Sequence, residues 1–324
     1  MNGKLMVVIP CYNEEEVLGE TARRLTLKMK ALVDAGLCDP ASRVLLVDDG
    51  SRDRTWEIIT RLHAENPLFE GLKLSRNRGH QNALLAGLMT AKDRCDFSIS
   101  MDADLQDDMD AMDRFIAEYS AGCDVVYGVR NRRESDTFFK KQTALAFYRL
   151  MKGLGVDITF NHADYRLMSR RALAALAQFH EVNLFLRGLA PLVGFQSGYV
   201  YYDRSERFAG ESKYPFKKML AFAIDGITSF SVKPLRLITT LGIVIFLISL
   251  AMLIYTLVAF LAGRTVMGWS STIASIWMIG GIQLLSLGVI GEYIGKIYNE
   301  SKRRPRFIID RYLNEEGADP TVDA

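Results

Sequence analysis

Short apolar runs alternate with amphipathic stretches over the first two thirds of the chain. Five runs, "KLMVVIP" (4–10), "RVLLVDD" (43–49), "GLKLS" (71–75), "DFSISMD" (96–102) and "DVVYG" (124–128), predict β-strands. Between them, residues 14–35, 53–65, 80–92 and 109–121 carry apolar side chains at helical spacing. Strands this apolar, separated by helices, predict an α/β class: a mostly parallel, Rossmann-like sheet with helices on both faces.

The pattern changes after residue 213. No charged residue lies between Leu237 and Ala262, or between Val266 and Gly291. As a helix, each run would extend about 39 Å, enough to cross a hydrocarbon core of about 30 Å with tilt. A buried soluble hairpin is the alternative, but runs of this length without charge belong chiefly to lipid. Lys233 and Arg236 precede the first run, and Lys296, Lys302, Arg303, Arg304 and Arg306 follow the second, while the connection holds only Arg264. The positive-inside rule then places both termini in the cytoplasm of a cell (inner) membrane protein. "YPFKKMLAFAIDGITSFSV" (214–232) and "TFFKKQTALAFYRLMK" (137–152) combine lysines with apolar residues, as interfacial helices do. The expected organisation is a domain over 1–213, a juxtamembrane amphipathic helix over 214–235, a two-helix transmembrane hairpin over 236–295 and a basic tail over 296–324.

A formal net charge of +2 gives no global attraction to nucleic acid. The four cysteines, Cys11, Cys38, Cys95 and Cys123, share no metal-binding spacing and read as buried thiols. The N-terminus has no long apolar signal core, so the first domain is expected to stay in the cytoplasm.

Each predicted strand runs into a polar loop: "PCYNEE", "DDGSRD", "SRNRGHQ", "DADLQDD" and "GVRNRR". All five lie at carboxyl ends of strands, the edge at which open α/β sheets bind ligands. Singly, the loops have structural readings. "DDGS" followed by Asp53 makes a turn and helix cap, and "NRGHQNALLAG" makes a glycine turn before a tightly packed helix. His80 reads as a polar loop residue, and Asp107, Asp108 and Asp110 as the start of a solvated helix. Asp102 and Asp104 differ, because they abut a strand end two residues apart. That spacing lets both reach one hard cation, and Mg²⁺ binds through one or two carboxylates plus substrate phosphates.

The ordered set "VVIPCYNEE", "LLVDDGSRDRT", "LSRNRGHQNALLAG", "SMDADLQDD" and "VVYGVRNRR" resembles family 2 glycosyltransferases of the GT-A fold. "HADYRLMSRRAL", "ERFAGESKYPFKKM" and "GVIGEYIGKIYNESKRRPRF" resemble elements of its polyprenyl-phosphate subgroup, which includes dolichyl-phosphate mannose synthases and bactoprenol glucosyltransferases. The resemblance implies that residues 1–213 are a catalytic GT-A domain. It implies that Pro10, Tyr12, Glu14, Asp48 and Asp49 hold the base and ribose of a nucleotide sugar. Asp102, Asp104 and Gln106 are implied to hold Mg²⁺ or Mn²⁺, with Asp104 the principal ligand. Arg130, Arg207, Ser212 and Lys213 are implied to embrace phosphates, and Asp164 and Arg166 to lie beside the acceptor. Ala163 stands where the subgroup commonly has Gly, and Tyr165 where it has Phe. "DLQDDMD" lacks the usual prolines, so loop shape departs while no charged group is lost.

The implied reaction moves one sugar, with inversion, from a nucleotide-diphosphate sugar to polyprenyl (undecaprenyl) phosphate. UDP-glucose and UDP-N-acetylglucosamine lead as donors, and GDP-mannose stays open. Asp164 orients acceptor or sugar, or acts as a base. A processive polysaccharide synthase is the enzymatic rival, but the chain has no QxxRW sequence. A non-catalytic nucleotide-sugar binder is the other, although the charged residues it would have shed are all retained. Homo-oligomers occur among such proteins, and no interface is legible here.

Overall fold

The computed structural model describes residues 3–131, 162–181, 186–203, 233–262 and 268–314. These divide into two compact units: a sheet with its helices, which the chain re-enters at residue 304, and a pair of long helices.

In the first unit the described strands are β1 (Leu5–Cys11), β2 (Arg43–Asp48), β3 (Phe69–Leu74), β4 (Phe97–Ser100), β5 (Val125–Arg130), β6 (His162–Ser169), β7 (Ser197–Tyr202) and β8 (Ile309–Leu313). Helices α1 (Leu18–Asp34), α2 (Thr55–Glu65), α3 (His80–Ala91) and α4 (Ala111–Ser120) alternate with the first five strands, and α5 (Arg170–Leu176) and α6 (Leu186–Leu192) follow β6. The sheet order is β7-β5-β6-β4-β1-β2-β3-β8. Its centre is parallel, with β1 paired to both β2 and β4. Every residue of β1 is buried, as a strand covered on both faces requires. Gly87 lets α3 pack directly on Val8 and Val47, where any larger side chain would collide.

Two strands interrupt the parallel pattern. β6 runs antiparallel between β4 and β5, pairing Ser100 with Arg166 and Tyr127 with Arg166. Its amino end therefore joins the carboxyl ends of β4 and β5, which brings Asp164 to the ligand-binding edge. β8 runs antiparallel on β3, opposite Gly71 through Leu74. Tyr312 on β8 donates its hydroxyl to the buried Glu70 carboxylate at 2.7 Å, and Arg94 pairs with the same carboxylate while lying over the Tyr312 ring at 5.2 Å. The segment expected as a basic tail over 296–324 thus departs from that reading. α8 (Trp269–Ser301) continues through Lys296, and residues 309–313 complete a sheet edge, because β3 offers unpaired backbone groups that a returning strand satisfies. The first helix also starts later than its pattern suggested. Asn13 (φ 55°) turns the chain, and the Glu14 N–H donates to Thr55 Oγ1 at 2.9 Å, which holds residues 13–17 as a loop.

All four cysteines are free and buried, as expected from their spacing.

The second unit contains α7 (Lys233–Leu261) and α8, each long and apolar enough to cross a membrane. Their surfaces invert the logic of the sheet: Leu237 is 68 % exposed and Leu284 is 72 % exposed. The interfacial segments expected at 137–152 and 214–232 lie outside the described residues.

Candidate active site

The loops after β1, β2 and β3 are built mainly by side chains holding backbone N–H groups. The Asn13 N–H donates to Ser51 Oγ at 3.0 Å, and the Arg52 N–H donates back to Asn13 Oδ1 at 2.9 Å. Asp49 accepts from the Arg78 and Gly79 N–H groups at 2.6 and 2.9 Å, so both its oxygens brace the third loop. Gly50 (φ +64°) passes so close to the Asn77 backbone nitrogen that a Cβ would sit 2.6 Å from it. Asp48 is sealed, with one oxygen accepting from the Ser51 N–H and the other lacking a hydrogen-bond partner; burial pushes its carboxyl up. Pro10 pairs with Val47 inside the sheet, Tyr12 is 40 % exposed at the rim, and Glu14 begins the adjoining turn. All five expected base and ribose residues therefore share one stretch of the edge.

The loop after β4 is ionic. Leu105 sits at φ 59°, a left-handed conformation uncommon for a branched residue, between Asp104 and Gln106. The Gln106 N–H donates to Asp104 Oδ1 at 3.2 Å. The two oxygens of Asp102 face different cations. Oδ1 lies 3.6 Å from His80 Nε2, and Oδ2 lies 4.0 Å from Arg130 Nη2. Oδ1 is buried and makes no hydrogen bond. Burial, then the nearby Asp107 charge, push the Asp102 carboxyl up to about 6.

Two sequence-based readings need correction here. Asp107 does not begin a solvated helix: its side chain is fully buried and accepts from the Tyr202 hydroxyl at 2.7 Å, with Arg130 Nη2 at 3.5 Å. The helix starts only at Ala111, so Asp107 belongs to the loop that folds inward. His80 is not merely a loop residue: it opens α3, and its Nε2 bridges Asp102 and Asp164. Burial would lower the His80 pKa, but the Asp164 bond and the Asp102 and Asp164 charges outweigh it and raise it.

Asp164 is the centre of a cationic cluster. Arg166 Nη2 donates to its Oδ1 at 2.9 Å, and Arg187 grips both oxygens at 3.2 and 3.0 Å. Gln81 Nε2 donates to Oδ2 at 3.3 Å, and its own Oε1 receives the Leu186 N–H at 3.0 Å. Burial alone would raise the Asp164 carboxyl. The His80 bond and the Arg187 and Arg166 charges outweigh that and hold it well below the usual range. With both oxygens engaged by Arg166, Arg187 and Gln81, and His80 within 3.4 Å, Asp164 is placed to position its neighbours. Arg166 is buried, donates its Nη1 to the Leu186 carbonyl at 3.0 Å, and braces Asp164 from beneath.

The expected residues Asp102, Asp104, Gln106, Arg130, Asp164 and Arg166 thus come together, whereas Arg207, Ser212 and Lys213 lie outside the described residues. The sequence reading misplaced Asp107 and passed over Tyr202 and Arg187. In "SGYVYY" (197–202) burial alternates strictly and carries Tyr202 to the edge, but tyrosines stand on both faces of the strand, so neither Tyr202 nor Arg187 had a local mark in the sequence.

Among the described residues, no three His, Cys, Asp or Glu side chains form a ready-made metal cage. What exists is a pair of carboxylates two residues apart, one of which keeps a buried oxygen without a hydrogen bond. That donor set suits a hard divalent ion completed by non-protein oxygens, as Mg²⁺ is when it arrives with a diphosphate.

A profile described as glycosyl transferase family 2 matches residues 6–176, and one described as the GtrB C-terminal hairpin matches residues 233–297. The chain is 53 % identical over 316 residues to the uncharacterized glycosyltransferase YkoT of Bacillus subtilis, covering 98 % of this chain and 94 % of that one. The uncharacterized glycosyltransferase YkcC of the same organism is 43 % identical, with 94 % and 93 % covered. A bactoprenol glucosyl transferase of Shigella phage SfV is 39 % identical over 314 residues, with 94 % and 98 % covered.

Proposed function

The chain belongs to glycosyl transferase family 2, and from that premise we propose that it transfers one glucose from UDP-glucose to the phosphate of a polyprenyl chain at the cytoplasmic face of a membrane. The family supports glycosyl transfer, and the name of the 39 % identical phage relative supports both the sugar and the lipid. UDP-N-acetylglucosamine is the nearest competing donor. The pair of long apolar helices supports a membrane-resident acceptor, and the flanking basic residues support the cytoplasmic side.

The single observation carrying the reading is the state of Asp102, a half-buried carboxylate between Arg130 and His80 whose buried Oδ1 makes no hydrogen bond. Asp102, Asp104 and Gln106 would hold Mg²⁺ or Mn²⁺ against the donor diphosphate. When bound, the ion neutralises charge developing on the leaving group. Arg130 serves the same end through its planar fork, which Tyr202 (3.2 Å from Nε) and Asp107 keep in place. Arg207, Ser212 and Lys213 add further phosphate contacts, and Pro10, Tyr12, Glu14, Asp48 and Asp49 shape the nucleoside end.

The acceptor phosphate is mostly dianionic near neutral pH, its second pKa being about 6. One of its oxygens attacks the anomeric carbon from the face opposite the diphosphate. The new C–O bond forms as the bond to the diphosphate breaks, UDP leaves with the electron pair, and the centre inverts. No proton has to be removed from the nucleophile, in keeping with a fully ionised Asp164.

The test is a donor screen with purified protein, undecaprenyl phosphate and Mg²⁺ or Mn²⁺, reading radiolabelled sugar in the solvent-extractable lipid. Transfer from UDP-glucose, lost in Asp104→Ala with folding intact, is the expected result. No lipid-linked product from UDP-glucose, UDP-N-acetylglucosamine or GDP-mannose overturns the reading.

A further inference from the structure

Two arginines contact Asp164, and they are placed differently. Arg166 is almost wholly buried, with its side chain 3 % exposed and its Nε without a partner. Arg187 meets the same carboxylate from α6 with its side chain 32 % exposed. It spends one N–H of Nε and one of Nη2 on Asp164, which leaves three of the five guanidinium N–H donors for another ligand. Asp164 is already met by the charges of Arg166 and His80 and by a hydrogen bond from the Gln81 amide. The further half-exposed guanidinium is surplus to that need.

The position of Arg187 relative to Asp102 gives the surplus a purpose. Asp102 turns Oδ2 toward Arg130, and turns Oδ1 toward His80, which touches Asp164 and through it Arg187. The site therefore has two guanidinium poles, one against Asp102 and one against Asp164, linked by His80. One is Arg130, anchored by Asp107 and Tyr202; the other is Arg187, anchored by Asp164. Displacement with inversion requires two phosphate groups on opposite sides of the reacting carbon, so a pole is needed for each.

We infer that Arg187 is the receptor for the acceptor's phosphomonoester, presented by its two-point ion pair with Asp164, a carboxylate separate from the one Arg130 faces. This deepens the function proposed above and rests on the acceptor being a phosphomonoester. Asp164 is then a positioning residue acting through Arg187: it sets the plane of the guanidinium and keeps that charge from folding onto Asp102. A planar fork suits a phosphate oxygen pair, and the point charge of lysine does not reproduce it.

The experiment uses the full chain in detergent micelles. In Arg187→Gln, the KM for undecaprenyl phosphate at saturating donor is expected to rise about 10- to 100-fold, the loss of a charge-assisted contact to phosphate. The dissociation constant for UDP-glucose with Mg²⁺, measured by calorimetry, stays within about twofold. Arg187→Lys recovers part of the acceptor KM, and remains informative if the glutamine variant folds poorly. A weakened donor with an unchanged acceptor KM would assign Arg187 to the diphosphate and overturn the inference, as would no change in either constant. Direct binding separates this from failure of the proposed function. Should the wild type transfer no sugar, farnesyl phosphate must still bind it more tightly than farnesol, and Arg187→Gln must abolish that preference; equal binding of the two lipids by the wild type sinks the inference.

Discussion

The two halves of the ligand-binding edge are held by different physics. The loops after β1, β2 and β3 are knitted by side chains accepting from backbone N–H groups, as Asp49 does from Arg78 and Gly79. The half built from β4, β5, β6 and β7 is held by charges, of which Asp107, Asp164 and Arg166 are buried and Asp102, His80, Arg130 and Arg187 reach the surface. Backbone bonds of the first kind set a shape that needs no ligand. Buried charges of the second kind are costly unless each is paired, and Asp102 is incompletely paired. Apart from the sealed Asp48 carboxylate the first half is internally satisfied, whereas the second keeps Asp102 under electrostatic tension at the place where we propose that a cation and phosphates bind.

The sharpest way to break that contrast is Tyr202→Phe. It strips Asp107 of its closest donor and frees the Arg130 Nε, so both activity and stability should suffer. A fall of about 10- to 100-fold in kcat, with a loss of about 1–3 kcal/mol in denaturant unfolding, is expected for a buried charged group left short of a partner.

Asp102→Asn should act in the opposite direction on stability. A carboxyl raised to about 6 in the folded state binds a proton that the unfolded chain has already released above its ordinary value of about 3.9. The folded chain is then the more protonated form between those values, so stability falls as pH rises through that window. Removing the charge should raise the stability of the metal-free protein at pH 7 by about 2 kcal/mol and flatten its melting temperature between pH 4 and 6. Transfer activity should be lost in the same variant. A parallel loss of stability would show that Asp102 is not under tension.

On the other half, Asp49→Asn keeps the shape but supplies only one acceptor oxygen for two N–H groups. A cost of about 1 kcal/mol, with a raised KM for the nucleotide sugar and little change in kcat, is the expected signature of a shape-setting residue. The smallest effect belongs to the far edge of the sheet. Tyr312→Phe removes one bond to Glu70 while Arg94 still neutralises it, for a cost of about 1 kcal/mol and no change in transfer.

Legibility in the sequence followed the same division. β1 to β5 and the helices between them announce themselves because strands buried on both faces are continuous apolar runs. The hairpin does so because lipid demands length without charge. β8 was hidden in a stretch that reads as polar: its pairing depends on the unpaired edge of β3, nearly 240 residues earlier, and not on its own composition. His80 and Asp107 were misread because a short-range pattern cannot tell a charge facing water from one facing another charge. Arg187 stands in an apolar helix of ordinary appearance, and only the return of β6 beside β4 gives it a carboxylate to hold.

The chain by itself determined an α/β domain with acidic and basic loops at strand ends and two membrane-length helices, since each follows from periodicity and local charge. The tertiary structure alone decided which charges meet. Opposite groups that are dozens of residues apart become partners only when the antiparallel β6 carries Asp164 to the edge and burial strips away the water that would otherwise screen them.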